Sequence, residues 1–271
     1  MIDEAEQRQG SLTAAPVELG PAGEGTAPAA PTVPAAPDAT PTRPAARWQS
    51  TPWQTAPWWT TPAALWFCFL LLVWQVLSHG PVTRLDVAAR NGIQHWAAMP
   101  SLGWALPVGR GLADLGDQPF STVVLVVAVL ASVLLTRSWR PLVPAAAIGL
   151  GLLAVIPLKI WIGRPGLGRT VLGDAALGFF PSGHTADALL CYGGAALVLC
   201  RTLQPRAWMR RSLIGLAAGL VALTIAGLLW SDYHWLSDTI GSVCWCGGVL
   251  CLAGRLPQRL VRPPGLITPE L

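Results

Sequence analysis

Five apolar stretches of this 271-residue chain, residues 48–83, 118–136, 141–158, 212–231 and 239–254, contain no Asp, Glu, Lys or Arg. Crossing the roughly 30 Å hydrocarbon core of a bilayer takes about 20 mostly apolar helical residues. A chain segment in that core must satisfy its own backbone hydrogen bonds, which a helix does within itself. A sixth apolar run, 188–200, is short at 13 residues but reaches membrane length if it begins near His184, with Asp187 at its rim. The pattern predicts six membrane helices, at 60–78, 119–136, 141–160, 184–202, 212–230 and 236–254. The expected fold is an all-α, polytopic six-helix bundle.

Composition agrees. Charged residues make up 12% of the chain, about half the share of a soluble domain. The surplus apolar surface must face lipid, which excludes an ordinary water-soluble enzyme. Residues 1–50 are different, dominated by Ala, Pro, Thr and Gly, as in GTAPAAPTVPAAPDATPTRPAA. Such a segment buries too little surface to offset its chain entropy and is expected to be a disordered tail. Its acidic start and the late onset of the first apolar run argue against a cleaved signal peptide. The expected division is a tail over 1–50, a membrane domain over 51–255 and a short tail over 256–271.

Lys159 is the sole lysine among 18 basic residues, and no basic run is interleaved with aromatics, so no nucleic-acid partner is expected. The six cysteines all lie in apolar runs without metal-ligand spacing and read as small buried hydrophobes.

The basic residues orient the bundle. Arg43, Arg47, Arg137, Arg140, Arg201, Arg206, Arg210, Arg211, Arg255, Arg259 and Arg262 put 11 on one side; Arg84, Arg90, Arg110, Arg164 and Arg169 put 5 on the other. The richer side is expected in the cytoplasm, with both termini, so that loops 79–118, 161–183 and 231–237 face outward. Trp58, Trp59, Trp139 and Trp208 fall at inner helix ends, and Trp161, Trp230 and Trp235 at outer ends, as an interfacial belt requires. The start of the long 79–118 loop, VTRLDVAARNGIQHWAAM, has apolar residues at helical spacing and reads as an interfacial helix or as a helix packed on the bundle.

Polar residues cluster at three outer helix ends: Lys159 and Arg164 in LKIWIGRPG, His184 in FFPSGHTAD, and His234 with Asp238 in SDYHWLSD. Ionisable groups at membrane depth are functional candidates. A Lys and an Arg offer a point charge and a forked donor to phosphate. Pro181-Ser182-Gly183 ahead of a helix supplies an N-cap and free amides, an anion-binding end. His234 and Asp238, four apart, are expected to share a helical face, where the carboxylate fixes the imidazole tautomer.

Together these segments resemble the three signature motifs of the type 2 phosphatidic acid phosphatase (PAP2) superfamily: a Lys followed by Arg-Pro, then Pro-Ser-Gly-His, then a His with an Asp four residues on. Residues 60–254 fit that family's six-helix layout. The resemblance implies that His234 attacks phosphorus, Asp238 orients it, and His184 protonates the leaving alkoxide and then activates water. It implies that Lys159, Ser182 and the Gly183 amide hold the phosphoryl oxygens, without metal or other cofactor. Two departures stand out. The family usually places six residues between Lys and Arg-Pro; here four intervene, and Gly166 stands where the usual Arg would be. The Ser-Arg that usually precedes the third-motif His is replaced by Gly227 and Leu228. Arg164 is expected to substitute as one phosphate ligand, with Arg169 the weaker choice for another. Asp187 is expected to pair with Arg164 or Arg169, His79 and His95 to be interfacial, and Asp232 and Tyr233 to line the rim.

The implied activity is hydrolysis of a lipid phosphate, phosphatidate-like or a polyprenyl diphosphate, at the outer membrane face through a phosphohistidine. The alternatives are a lipid phosphotransferase using the same intermediate, and a degenerate member that only binds lipid phosphate.

Overall fold

The computed structural model describes Pro57, residues 59–167 and residues 177–256. The expected N-terminal tail, residues 257–271 of the expected C-terminal tail, and Arg169 lie outside the described residues. Among those described, the regular structure is helical: α1 (Thr60–Leu77), α2 (Pro81–Ala97), α3 (Ala105–Asp114), α4 (Gln118–Thr136), α5 (Leu142–Leu153), α6 (Val155–Ile162), α7 (Gly183–Leu203), α8 (Ala207–Trp230) and α9 (Leu236–Ala253), with a 3-10 turn at Pro100–Leu102.

Six spans are long and apolar enough to cross a bilayer: α1, α4, α5 continued by α6 (Leu142–Ile162), α7, α8 and α9. They match the six expected helices, and the chain is a polytopic membrane protein. The differences are local. The third span breaks at Ala154, because Pro157 has no N–H for the Leu153 carbonyl one turn back. The fifth begins at Ala207 instead of 212, drawing Arg210 and Arg211 into its first turns.

The bundle is organised around α7 and α9. Each has half or more of its span buried, against 22–28% for the other four. Leu190, Cys191 and Val198 of α7 and Cys246, Val249 and Ala253 of α9 pack with Leu125 and Val129 of α4, Ile148 of α5 and Val155 of α6. Phe69, Val73 and Val76 of α1 close the other side of α9 against Phe180 and Cys244. The outward faces keep Phe67, Leu70, Val127, Leu134, Leu150 and Leu216 exposed, which suits lipid and would be untenable as a water-facing patch.

The connector between α1 and α4 holds two helices. Gly80 and Pro81 start α2, a pairing that fits an N-cap and N1. Leu85 and Trp96 of α2 are exposed while Asp86 is buried, so the polar side faces the protein. The sequence did not announce α3, a ten-residue helix containing a Pro and two Gly. It packs closely on α8, where a Cβ at Gly227 would collide with the backbone of Gly109 and Ala113; such small-residue seams let membrane helices approach.

Candidate active site

All three motif segments meet at one end of the bundle. Lys159 lies in the last turn of α6, which ends on Gly163 in a left-handed conformation, φ 59°, a backbone state that glycine adopts without strain. The chain then turns Arg164 inward. The returning strand of chain runs against this turn: the Phe179 N–H donates to the Arg164 carbonyl at 2.9 Å. Gly178 is required there, since a Cβ would strike the Lys159 carbonyl and the Arg164 amide.

After the cis Phe180–Pro181 bond, Ser182 caps α7, its Oγ accepting the Thr185 N–H at 3.4 Å. Ser182 is fully buried, and its N–H donates to the Asp238 carbonyl at 3.1 Å. Ser242 Oγ donates to the carbonyls of both Ser182 and Asp238, at 2.7 and 3.1 Å. The second and third motifs are thereby fixed to each other. The first α7 amides, at Gly183 and His184, have no intrahelical acceptor. Lys159 Nζ stands 3.6 Å from where a Gly183 Cβ would be. Among the described residues Lys159 makes no ion pair, so an ammonium and a helix N-terminus converge on one position, a combination suited to an anion.

His234 lies one residue ahead of Trp235, the N-cap of α9. The expected shared helical face is therefore not how the pair meets. Asp238 is the third helical residue, and its Oδ2 reaches back to the Trp235 N–H at 3.1 Å and to His234 Nδ1 at 3.2 Å. That is half of a capping box, so one carboxylate starts the helix and orients the imidazole. If Nδ1–H donates to Asp238, the Nε2 lone pair faces away from it, as a nucleophile needs.

Arg164 is buried, 8% exposed. Its Nη1 donates to Asp238 Oδ1 at 2.6 Å and to Ser237 Oγ at 2.7 Å, and its Nη2 donates to Asp86 Oδ2 at 2.7 Å. This differs from the phosphate contact expected of it. Both terminal nitrogens are bonded to protein, because two buried carboxylates need a counter-charge. Arg164 pairs with Asp86 and Asp238 and not with Asp187; Arg169, the other expected partner of Asp187, lies outside the described residues.

His184 stands opposite His234, ring centroids 6.2 Å apart, and its Nε2 is 2.9 Å from Asp117 Oδ1. Phe179 packs between Gly166 and His234, its ring centroid 5.6 Å from the imidazole, and a Cβ at Gly166 would run into that ring. An aromatic ring thus occupies space beside the position where the family pattern has a guanidinium. Leu228 is fully buried. His79 and His95 are exposed, and His79 lines a cleft with Arg164, Pro165 and Trp235. Tyr233 is 40% exposed. Asp232, in a left-handed conformation at φ 57°, forms a two-pronged pair with Arg90 at 2.6 and 2.7 Å; this carboxylate raises the Arg90 pKa, hydrogen bonding being the larger cause.

Sequence reasoning missed Asp86 and Asp117. Each lies in the long connector, without a local motif. For Asp86 the available signal was an acid inside an amphipathic helix; for Asp117, an acid ahead of a proline-started helix.

The family model of the PAP2 superfamily matches residues 123–262, just over half of the chain. The chain belongs to the PAP2 superfamily. Among curated PAP2-type relatives, phosphatidylglycerophosphatase B of Bacillus subtilis (strain 168) is 24% identical over 173 residues, which cover 64% of this chain and 85% of that protein. A crystal structure described as the first transmembrane PAP2 type phosphatidylglycerolphosphate phosphatase from Bacillus subtilis is similar with a TM-score of 0.63 at 21% identity, over 76% of this chain and 99% of that one. The six-span PAP2 layout is therefore the fold of this chain. The matched family segment starts within α4, so Asp86, Arg90 and Asp117 lie outside it.

Proposed function

We propose that this membrane protein hydrolyses a lipid phosphate through a phosphohistidine on His234. The observation that carries the reading is the orientation of His234. Its Nδ1 faces a fully buried carboxylate, and its ring stands across from His184 beside Lys159 and the amides that open α7.

The steps follow from that arrangement. The His234 Nε2 lone pair attacks phosphorus, and the bond from phosphorus to the ester oxygen breaks. Lys159, Ser182 and the Gly183 amide hold the phosphoryl oxygens, whose charge is the main thing a protein must stabilise in such a transfer. Protonated His184 gives its proton to the departing alkoxide. Neutral His184 then takes a proton from water, which attacks the phosphohistidine and releases phosphate with His234 restored. Arg164 acts by holding Asp238. The chain's own cations supply the positive charge, so turnover needs no divalent metal.

The substrate is a lipid phosphomonoester or diphosphate. Similarity to a protein named phosphatidylglycerophosphatase B makes phosphatidylglycerophosphate the first choice, ahead of phosphatidate and polyprenyl diphosphates. With 11 basic residues against 5 across the two sides, the site faces outward and both termini are cytoplasmic. The test is phosphate release from these three lipids by purified protein in detergent containing EDTA. Release from at least one supports the reading; no release from any, with folded protein, refutes it.

A further inference from the structure

The polar face of α2 is built against the segment that carries His234. Asp86, Arg90 and Gln94 are four residues apart and so line one side of the helix. Gln94 Nε2 donates to the carbonyls of Leu229 and Trp230, at 3.4 and 3.3 Å, where α8 ends. Arg90 grips Asp232 in the turn that follows. Asp86 reaches the first turn of α9: its Oδ1 accepts the Ser237 N–H at 2.8 Å, and its Oδ2 accepts from Ser237 Oγ at 2.6 Å and from Arg164 at 2.7 Å. Three consecutive anchors hold the chain on both sides of His234.

We propose that Asp86 is a positioning residue for His234, acting through Arg164 and Asp238. This rests on the proposed role of His234 as nucleophile. Arg164 is shared between two carboxylates, on Asp86 and Asp238. With Asp86 present, part of the guanidinium charge is balanced elsewhere, and Asp238 keeps more of its negative charge for the imidazole. Asp86 also supplies an acceptor to an α9 amide that the helix cannot pair itself, which fixes the direction in which Asp238 enters. The other charged and titratable groups around His234 are the Arg90–Asp232 pair, His184 with Asp117, Lys159, Asp187 and Tyr233; Asp86→Asn removes none of them.

The chain has four histidines, so imidazole 15N spectra of the protein in micelles can follow each titration, with His234 assigned by its loss in His234→Ala. In Asp86→Asn the whole Arg164 charge falls on Asp238. A protonated His234 is then less supported, and its titration midpoint moves to lower pH. The acid limb of the kcat profile moves the same way. kcat falls by about 10–100-fold, the range found for outer partners of metal-ligating histidines, while KM changes little because Asp86 does not touch substrate. Asp86→Ser is the second variant, should Asp86→Asn not fold, and the same shift is expected of it.

A folded variant with an unchanged His234 midpoint overturns the proposal. So does failure of both variants to fold, which would leave Asp86 a purely structural partner. Wild-type protein that releases no lipid phosphate, alongside a midpoint that does move, would refute the enzymatic reading and leave the Asp86–His234 coupling standing.

Discussion

Arg164 and Asp238 form a buried ion pair, Nη1 to Oδ1 at 2.6 Å, with the arginine 8% and the aspartate 0% exposed. The pair joins the turn after α6 to the first turn of α9. It gives an arginine one residue before Pro165 a direct hold on the carboxylate that meets His234, seventy residues away.

Removing one partner of such a pair leaves a buried charge uncompensated, at a cost of about 3–5 kcal/mol. Arg164→Ala should therefore lower the melting temperature and cut turnover, because Asp238 loses the bond that fixes it beside His234. Arg164→Lys should recover part of the stability and little of the turnover, because a single ammonium cannot bond Asp86, Ser237 and Asp238 in the fork geometry. Thermal melting and steady-state kinetics on one lipid phosphate measure both; normal turnover in Arg164→Ala would contradict the role.

General acid catalysis by His184 predicts a dependence on the leaving group. His184→Ala should slow phosphoenzyme formation from an alkyl phosphate ester by about 10²–10⁴-fold, and that from a nitrophenyl phosphate much less, since nitrophenolate departs without a proton. Asp117→Asn should show the same pattern with a smaller loss, because Asp117 holds His184 at 2.9 Å. Equal losses on both substrates would remove His184 from the acid role.

The α3–α8 seam predicts a stability effect far from the chemistry. Gly227→Leu forces a side chain into the backbone of Gly109 and Ala113. Overpacking of this kind costs about 1–3 kcal/mol, and more where backbone must move. The melting temperature in detergent should fall, whereas Gly219→Leu, at a position with open space around it, should leave it nearly unchanged.

The spans were legible because lipid imposes a simple rule on sequence, and the charge-free runs obeyed it. The start of α7 was legible from the Ser182 cap. The break at Ala154 was also within reach, since Pro157 has no N–H to offer. By contrast, α3 is held by contact with Gly227 and not by its own propensity. The histidines, Lys159, Ser182 and Asp238 were placed at one site by motif. Arg164 was placed there too, but its partners were hidden: Asp86 bonds a residue 151 positions away, and no local pattern encodes a contact at that range.

Orientation has its own check. In a background whose native cysteines are replaced, Leu167→Cys should react with a membrane-impermeant maleimide in intact cells, and Arg206→Cys should react only after lysis. The 11 to 5 asymmetry of basic residues predicts this; the reverse pattern would place the site in the cytoplasm.

The most direct measurement is to trap the phosphoenzyme. Purified protein is mixed briefly with a lipid carrying 32P in its phosphate, quenched in alkali and digested. The account predicts acid-labile, alkali-stable label on the peptide containing His234, lost in His234→Ala together with turnover. Label on another residue, or full turnover in His234→Ala, would contradict it.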